Sequence, residues 1–323
     1  MRAPTPLPDP FEGRAFRVGE ALTAGIGKGR LRGSDLEAPF KRVRSPAIDD
    51  LLALASAYAT VMAAHHVFGG ITAARLWGLP IAERWQRDEP LVVARANGTN
   101  RGFARGTRHI AVDGIRLLKM ETRGVRVLEP LSTALTLARE LDHEALVQVL
   151  DALLTPSRWY PGLELPRRAE QPYATPAQLD AFLLRCSGLA GVSALRAAAA
   201  DARVGVDSRF ETITRLLIVE AGLPEPLVHP LVVIDGAEWH PDLAYPELKI
   251  AIEYEGDGHR DERQWHLDID RYARFEAAGW IIVRVTREHM ARRGAHFVER
   301  VRAARARREQ RIRASSERWA AEM

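Results

Sequence analysis

Residues 238–259 read EWHPDLAYPELKIAIEYEGDGH, and their pattern predicts two β-strands joined by a very short connection. The first strand runs from Glu238 to Ala244 and the second from Leu248 to Tyr254. Asp242 lies on the first strand, and Glu253 follows 11 residues later, near the end of the second. If the strands pair, both carboxylates approach one edge of the sheet, where oxygen ligands can hold a hard divalent cation such as Mg²⁺.

The segments around this pair predict a mixed α+β domain. Residues 210–217 form an amphipathic helix, and residues 227–234 form a further strand that an Asp-Gly turn joins to the next strand as a hairpin. Residues 262–277 are helical, and residues 280–285 form the last strand. The order helix, three strands, helix, strand indicates a sheet flanked by helices.

This part of the chain resembles the very-short-patch-repair-like branch of the PD-(D/E)xK endonuclease superfamily. The resemblance covers about residues 211–289 and rests on RFE at 209–211, HPDLAYPE at 240–247, IEYEG at 252–256 with His259, DxxR at 268–271 and GWxxxRV at 279–285. It implies a restriction-endonuclease-like mixed sheet in which Asp242 and Glu253 bind Mg²⁺ or Mn²⁺. It also implies that Glu211 completes or orients the metal site, and that His259 assists near the water or phosphate in phosphodiester hydrolysis.

One position departs from the superfamily pattern, because Glu255 stands where the superfamily has a lysine two residues after the second acid. A carboxylate cannot supply positive charge to the developing charge on phosphate, although it can bind a metal or act as a base. His259 and Arg271 are the candidates for the missing donor. Asp268 and Arg271 are three residues apart on one helix face, so a surface ion pair is their default explanation.

Each candidate residue also has a structural explanation. Ser208-x-x-Glu211 matches a capping box, and this explanation of Glu211 carries equal weight with the functional one. Asp242 follows a proline, and a turn role is its weaker alternative. Glu253 ends an apolar run and needs a partner, which favours function or a buried ion pair. His259 stands in a Gly-rich loop, where a lone histidine is usually solvated.

The N-terminal segment carries a basic pattern of a different kind. Residues 16–22 predict a short helix, residues 23–25 a turn, and residues 26–31 a second helix that a basic strand follows. This is the order of a winged helix-turn-helix, although a solvated helical hairpin with surface charges explains it equally well. The cations in and after the second helix are Lys28, Arg30, Arg32, Lys41 and Arg42.

Residues 16–44, together with ITAARLWG at 71–78, resemble the winged-helix and linker region of abortive-infection type IV antitoxin-like proteins. The resemblance covers about the first half of the chain. It implies DNA binding, with the cations of the second helix in the major groove and those of the strand on phosphates.

Composition along the chain predicts four segments. Residues 12–80 hold the winged helix-turn-helix and a helical linker, residues 81–155 a mixed α/β antitoxin-like region, residues 156–176 a Pro-rich linker, and residues 177–323 the nuclease-like domain. The last of these ends in an Arg-rich helix, for which a solvated amphipathic face is favoured over DNA contact.

The totals set broad limits on the class of protein. The 323 residues are 46% hydrophobic and 27% charged, as in globular proteins of two or three domains. The net charge of +4 is too small to imply nucleic acid by itself. Cys186 is the only cysteine, which excludes an intramolecular disulfide and a thiolate zinc site and favours a reducing cytoplasm. The sequence has neither a signal-peptide pattern nor a membrane span, and GxSxG, Walker and HExxH motifs are absent.

Three hypotheses about function follow, and the first two belong to different classes. The first is a cation-dependent DNA endonuclease whose N-terminal module positions a C-terminal cutter. The second is a DNA-binding regulator of antitoxin type whose nuclease-like domain is catalytically inactive, and Glu255 favours it. An enzyme acting on RNA or on a nucleotide is the third hypothesis. DNA is the expected partner, no membrane is expected, and a homodimer is left open.

Overall fold

The computed structural model describes residues 4–96, 104–113, 117–156, 160–167, 171–256 and 272–321. Helices and mixed sheets place the protein in the α+β class, as predicted. The chain divides into two compact units, Met1–Asp201 and Ala202–Met323. Within the described ranges, no helix combines the length and the apolar composition that crossing a bilayer requires.

The N-terminal unit is built on a five-stranded mixed sheet with helices packed on it. In chain order its elements are β1 (Phe16–Arg17), α1 (Val18–Thr23), β2 (Val43–Arg44), α2 (Leu51–Ala59), β3 (Val67–Phe68), α3 (Gly70–Trp77), β4 (Leu91–Ala96), β5 (Thr107–Val112), β6 (Lys119–Thr122), β7 (Val125–Leu128), α4 (Pro130–Leu137), α5 (His143–Leu154), α6 (Pro176–Arg185) and α7 (Val192–Asp201). The sheet has the order β5-β4-β3-β7-β6, and β1 pairs with β2 as a separate two-stranded ribbon.

The predicted second helix of the N-terminal segment, residues 26–31, is wrong. In its place the backbone forms a single 3₁₀ turn at Arg30–Arg32 after non-helical backbone. Gly27 and Gly29 explain the difference, since a glycine inside a helix costs about 1 kcal/mol relative to alanine. In the described residues 4–50, therefore, α1 is the one α-helix, and no helix-turn-helix pair is formed.

The Pro-rich stretch 156–176, predicted as a linker between domains, packs within the N-terminal unit over its described residues. The backbone N–H of Trp85 donates to Glu164 at 3.1 Å, and the Tyr173 hydroxyl donates to the carbonyl of Trp77 at 2.5 Å. The unit then continues through α6 and α7, and α7 packs on α5. The boundary between the units lies after Asp201. The prolines of 156–176 did not indicate a linker, because proline interrupts helices without keeping neighbours such as Tyr160 and Ala174 from being buried.

The C-terminal unit contains a four-stranded sheet and a separate β-hairpin. In chain order its elements are α8 (Arg209–Glu220), β8 (Leu227–Val228), β9 (Val232–Ile234), β10 (Ala237–Trp239), β11 (Leu243–Tyr245), β12 (Ile250–Glu255), α9 (described over residues 272–277), β13 (Ile281–Thr286) and α10 (Ala295–Ala321). The sheet has the order β13-β12-β11-β8, with β12 and β13 parallel and the other pairs antiparallel.

Two of the predicted strands are each divided at a proline. The predicted strand 227–234 becomes β8 and β9, because His229 has a left-handed φ of 42° and Pro230 follows it. The predicted strand 238–244 becomes β10 and β11 on either side of Pro241. The predicted Asp-Gly hairpin turn is confirmed between β9 and β10, and so is the antiparallel pairing of β11 with β12.

The two faces of the four-stranded sheet are packed differently. One face carries the large side chains of Leu243, Ile250 and Ile252 and is covered by α8 and α10. The other face carries Ala244 and Ala251, and α9 and the hairpin cover it. Because side chains alternate along a strand, the acidic residues of β12 share the face of the small residues. Packing of the apolar face thereby fixes the register that positions the acids.

Candidate metal centre

Three polar side chains lie in a row across the ends of β8, β11 and β12. The antiparallel registers of β11 with β8 and with β12, extended by one residue, place Asp242 between His229 and Glu253. The backbone N–H of His229 donates to the carbonyl of Asp242 at 3.1 Å, which holds this end of the ladder. Facing residues in such strands have Cβ atoms about 4.5–5.5 Å apart, so the row is compact.

Glu211 reaches this row from the first turn of α8. The helix begins after Ser208, whose hydroxyl accepts a hydrogen bond from the backbone N–H of Glu211 at 3.2 Å. The Glu211 carboxylate accepts one from the backbone N–H of Asp207 at 3.0 Å, one residue before the cap. Glu211 is only 6% exposed. Only the Ser208 half of the predicted capping box is formed, because the Glu211 carboxylate accepts from the N–H of Asp207, where a capping box has that of Ser208. The Ser208 cap and a functional role of Glu211 are compatible, since the cap places a buried carboxylate at the sheet edge.

The side chains of Glu211, His229 and Asp242 form one close group. One ligand atom from each lies within 4.8 Å of the other two, and Glu211 Oε2 is 3.0 Å from His229 Nε2. Two atoms bound at adjacent positions of an octahedral ion at about 2.1 Å lie about 3 Å apart. The 3.0 Å contact matches adjacent positions on such an ion, whereas opposite positions lie about 4.2 Å apart. The group, held within 4.8 Å, is thus close to the spacing of a divalent-cation site, and a shared cation requires its ligand atoms to move slightly closer together.

Asp242 links two strands as well as contributing to the group. Its Oδ2 accepts a hydrogen bond from the backbone N–H of Tyr254 at 2.7 Å, across to β12. Glu253 is 6% exposed and faces Asp242 in the extended register, but it is not one of the three residues within 4.8 Å of one another. Of the three predicted metal ligands, the structure thus brings Glu211 and Asp242 into one group and leaves Glu253 as the next side chain in the row.

His229 was not identified from the sequence, and it stands between carboxylates. Its Nε2 is 3.0 Å from Glu211 Oε2, and its Nδ1 is 3.7 Å from Asp207 Oδ2. Burial by itself lowers the pKa of His229, but the hydrogen bond to Glu211 and the charges of Glu211, Asp207 and Asp242 together raise that pKa above its usual value. The surrounding carboxylates therefore favour the protonated, positively charged form of the His229 ring.

Arg284 supplies positive charge beside the position where the superfamily has lysine. Its Nε lies 3.3 Å from Glu255 Oε1, and its guanidinium stacks 4.0 Å from the ring centre of Tyr272. The parallel register of β12 with β13 pairs Arg284 with Glu253. The structure therefore brings a cation from β13 toward the acids of β12, a role for which the sequence suggested His259 and Arg271.

An aromatic stack borders the group. The rings of Phe210 and Tyr254 lie nearly parallel, with centroids 4.5 Å apart and an interplanar angle of 10°. The Arg209 guanidinium lies 4.9 Å from the Phe210 ring centre. Because Phe210 precedes Glu211 and the Tyr254 amide binds Asp242, this stack ties the helix start to the strand that carries the acids.

The remaining C-terminal predictions, His259, Asp268 and Arg271, lie outside the described residues. Two functional candidates were missed, His229 and Arg284. His229 lies between apolar residues and a proline, so its place in the row follows only from the pairing of β8 with β11. Arg284 belongs to the GWxxxRV stretch, but its neighbours follow only from the parallel pairing of β12 with β13.

The predicted DNA-binding cations have unequal surroundings. Arg30 makes two hydrogen bonds to Asp35, at 3.0 and 2.6 Å, and also donates to the carbonyl of Thr5. The same ion pair lowers the pKa of Asp35, first through the side-chain hydrogen bond from Arg30. Arg30 therefore holds the local backbone fold. The other four, whose side chains are exposed, are Lys28, Arg32, Lys41 and Arg42.

No protein-family model matches the chain. Two curated relatives are the uncharacterized proteins MT2308 and Rv2248 of Mycobacterium tuberculosis, from strains CDC 1551 / Oshkosh and H37Rv. Each is 29% identical to this chain over 172 residues, which cover 48% of this chain and 63% of the relative. The chain thus spans less than two thirds of the length of these relatives. Their names state no activity, so the case for function rests on the geometry of the site.

Proposed function

We propose that the C-terminal unit is a cation-dependent nuclease that hydrolyses phosphodiester bonds in DNA. The observation that carries this proposal is the convergence of Glu211, His229 and Asp242 at one sheet edge, with Glu253 next in the row. Acidic side chains gathered at one point of a sheet edge are the arrangement that divalent-cation hydrolysis of phosphate esters needs. The resemblance to PD-(D/E)xK endonucleases supports the same reaction.

The side chains of the row take separate roles in this proposal. A divalent cation at the group would polarise the phosphodiester and lower the pKa of an attacking water. Asp242, fixed by the Tyr254 amide, and Glu211, fixed by the Asp207 amide, bind that cation. Glu253 lies beside them and can accept a proton from the water.

Arg284 compensates for the absent lysine in this proposal. Its guanidinium reaches the carboxylate at 255 from the neighbouring strand. A fixed positive charge at this point can face the charge that develops on phosphate during hydrolysis. We further propose that the exposed cations of the N-terminal unit, Lys28, Arg32, Lys41 and Arg42, contact DNA phosphates without reading bases, because the described segment has no recognition helix to place in a groove.

Cleavage of supercoiled plasmid DNA with Mg²⁺ or with Mn²⁺ tests the proposed reaction. We expect the wild-type chain to nick the plasmid, and Asp242→Asn and Glu253→Gln to slow the reaction by about 100- to 1,000-fold, since each removes charge that acts in the transition state. Asp235→Asn is the matched control, because it removes an exposed carboxylate from the β9–β10 turn of the same unit. Equal rates for all four proteins would exclude this site as the catalyst.

A DNA-binding regulator without catalysis is the second candidate function. The ion pair between Glu255 and Arg284 favours it, because the carboxylate neutralises the cation that stands in for the lysine in the nuclease proposal. In the same plasmid experiment, DNA binding by the wild-type chain without cation-dependent nicking supports the regulator and rejects the nuclease. A gel-shift measurement on the reaction mixtures separates the two outcomes.

A further inference from the structure

The ring of His229 lies between two carboxylates that meet its two nitrogens. Nε2 faces Glu211 Oε2 at 3.0 Å, inside the group that also contains Asp242. Nδ1 faces Asp207 Oδ2 at 3.7 Å, on the outer side of the ring. A metal-bound histidine typically directs its other ring nitrogen toward a carboxylate or a carbonyl. The Nδ1 contact with Asp207 has this direction, at ion-pair distance, and becomes a hydrogen bond if the two groups approach by less than 1 Å.

We propose that this centre is built for a first-row transition-metal ion rather than for Mg²⁺, with His229 Nε2 as a ligand and Asp207 as the residue that positions the ring. The inference rests on the proposed cation centre of the nuclease and names its ion class. Glu211 and Asp242 complete the protein ligands. Asp207 acts through His229 and is a positioning residue, not a ligand.

The donor set decides between the two classes of ion. Mg²⁺ is hard, takes oxygen ligands and keeps several waters, so an imidazole nitrogen adds little to the affinity of a site for Mg²⁺. Imidazole suits Fe²⁺, Ni²⁺, Cu²⁺ and Zn²⁺, and the affinity of a nitrogen-containing site rises from Mn²⁺ through Fe²⁺, Co²⁺ and Ni²⁺ to Cu²⁺ and falls at Zn²⁺. Mn²⁺ stands at the weak end of this series, so a preference for Mn²⁺ over Mg²⁺ is the stringent test. Replacing one of three protein oxygens by nitrogen therefore moves the preference of the site toward these ions.

The backbone conformation and the hydrogen bonds of His229 hold the imidazole ring in a defined position. Its φ of 42° is left-handed, a conformation that few non-glycine residues adopt and that Asn tolerates well. Its N–H donates to Asp242, and its carbonyl lies 3.3 Å from His240 Nδ1. His229→Asn is therefore the informative variant, because it suits the backbone and keeps a polar side chain while removing the imidazole nitrogen.

The metal alone is a sufficient probe, and the test needs no DNA. Calorimetric titration of the EDTA-treated full chain should show Mn²⁺ binding at least about tenfold tighter than Mg²⁺. Pulsed EPR of bound Mn²⁺ should show coupling to an imidazole ¹⁴N. His229→Asn should lose this coupling and the preference for Mn²⁺. Asp207→Asn should keep the coupling and lose about 10- to 100-fold in Mn²⁺ affinity. His296→Asn, at an exposed histidine of the same unit, is the control and should bind as wild type.

Equal affinities for Mg²⁺ and Mn²⁺, or a ¹⁴N coupling that persists in His229→Asn, would overturn the inference. These outcomes are separable from the reaction itself. DNA cleavage with Mg²⁺ but without ¹⁴N coupling would support the proposed nuclease and contradict the proposed transition-metal site. Conversely, ¹⁴N coupling and a preference for Mn²⁺ without DNA cleavage would support the transition-metal site and contradict the proposed nuclease.

Discussion

The ion pairs of the N-terminal unit and the cation group of the C-terminal unit arrange charged side chains in opposite ways, although the C-terminal unit also contains ion pairs such as Arg215 with Glu225. In the N-terminal unit, Arg30 is bound by Asp35, and the buried Arg75 forms an ion pair with Glu89. In the C-terminal unit, two carboxylates lie together around one histidine. Opposite charges held in pairs stabilise a fold, whereas like charges gathered at one point cost stability unless a cation binds them. The pairing of charges, which a sequence does not display, therefore separates structural from functional residues here.

The largest expected effect concerns a structural pair of the N-terminal unit. Arg75 is 1% exposed and also donates to the carbonyl of Glu83 at 2.8 Å. We expect Arg75→Met to lower the free energy of unfolding by about 3–5 kcal/mol, since it leaves Glu89 without its partner. Chemical denaturation followed by circular dichroism measures the change.

Arg87→Met is the control for this prediction. Arg87 pairs with Glu37, but its side chain is 60% exposed, so the loss should stay below about 1 kcal/mol. Similar losses for both variants would mean that burial does not distinguish the pairs of this unit.

The second expected effect concerns the carboxylates of the C-terminal unit. Mn²⁺ at 100 times its Kd should stabilise this unit by about 2.7 kcal/mol, because the cation binds the folded site. Differential scanning calorimetry should show the shift in one unfolding transition only. Asp242→Asn should abolish it, and NaCl at equal ionic strength should not reproduce it. A shift that survives in Asp242→Asn would place the stabilising cation elsewhere.

The sequence predicted the parts of the C-terminal unit that depend on local pattern. The Asp-Gly turn, the β11–β12 pair and the helix that begins after Ser208 all follow from residues close together in the chain. The breaks after His229 and at Pro241 were not predicted, because an apolar run gives no sign of a change of pairing partner. The prolines at these two points were the available signal.

The site was predictable only in part, for a related reason. Asp242 and Glu253 belong to adjacent strands with a short connection, so their approach follows from the sequence. His229 and Arg284 join them through strand pairings between segments that are distant in the chain. In the N-terminal segment, basic residues suggested a DNA-reading helix. Gly27 and Gly29 among them were the stronger signal, because they disfavour a helix at this position.

A smaller effect should separate the cations of the N-terminal unit. Arg30→Met should cost about 1 kcal/mol of stability through the lost pair with Asp35 and leave DNA affinity unchanged. Lys41→Met should leave stability unchanged and reduce the slope of log K against log salt by about 1, if Lys41 contacts one phosphate. Fluorescence anisotropy with a labelled duplex at several salt concentrations measures the slope. The reverse pattern would assign DNA contact to Arg30 and contradict its structural role.

The smallest expected effect is a dependence of the N-terminal unit on pH. Burial, followed by the charges of His65, His109, Arg95 and Arg126, lowers the pKa of His66 below its usual value. The unfolded chain therefore binds a proton more readily than the folded unit, and stability should fall as pH drops below about 6.5. His66→Gln should flatten this slope, whereas His296→Gln, at an exposed position of the other unit, should not. Denaturation curves at several pH values test this, and an unchanged slope in His66→Gln would contradict it.

Anomalous diffraction from a crystal soaked in MnCl₂ shows whether Glu211, His229 and Asp242 bind one cation. We predict an anomalous peak about 2.0–2.3 Å from a carboxylate oxygen of Glu211, Nε2 of His229 and a carboxylate oxygen of Asp242. A map with no peak at these three residues, from crystals that hold Mn²⁺ elsewhere in the C-terminal unit, would contradict the proposed cation centre.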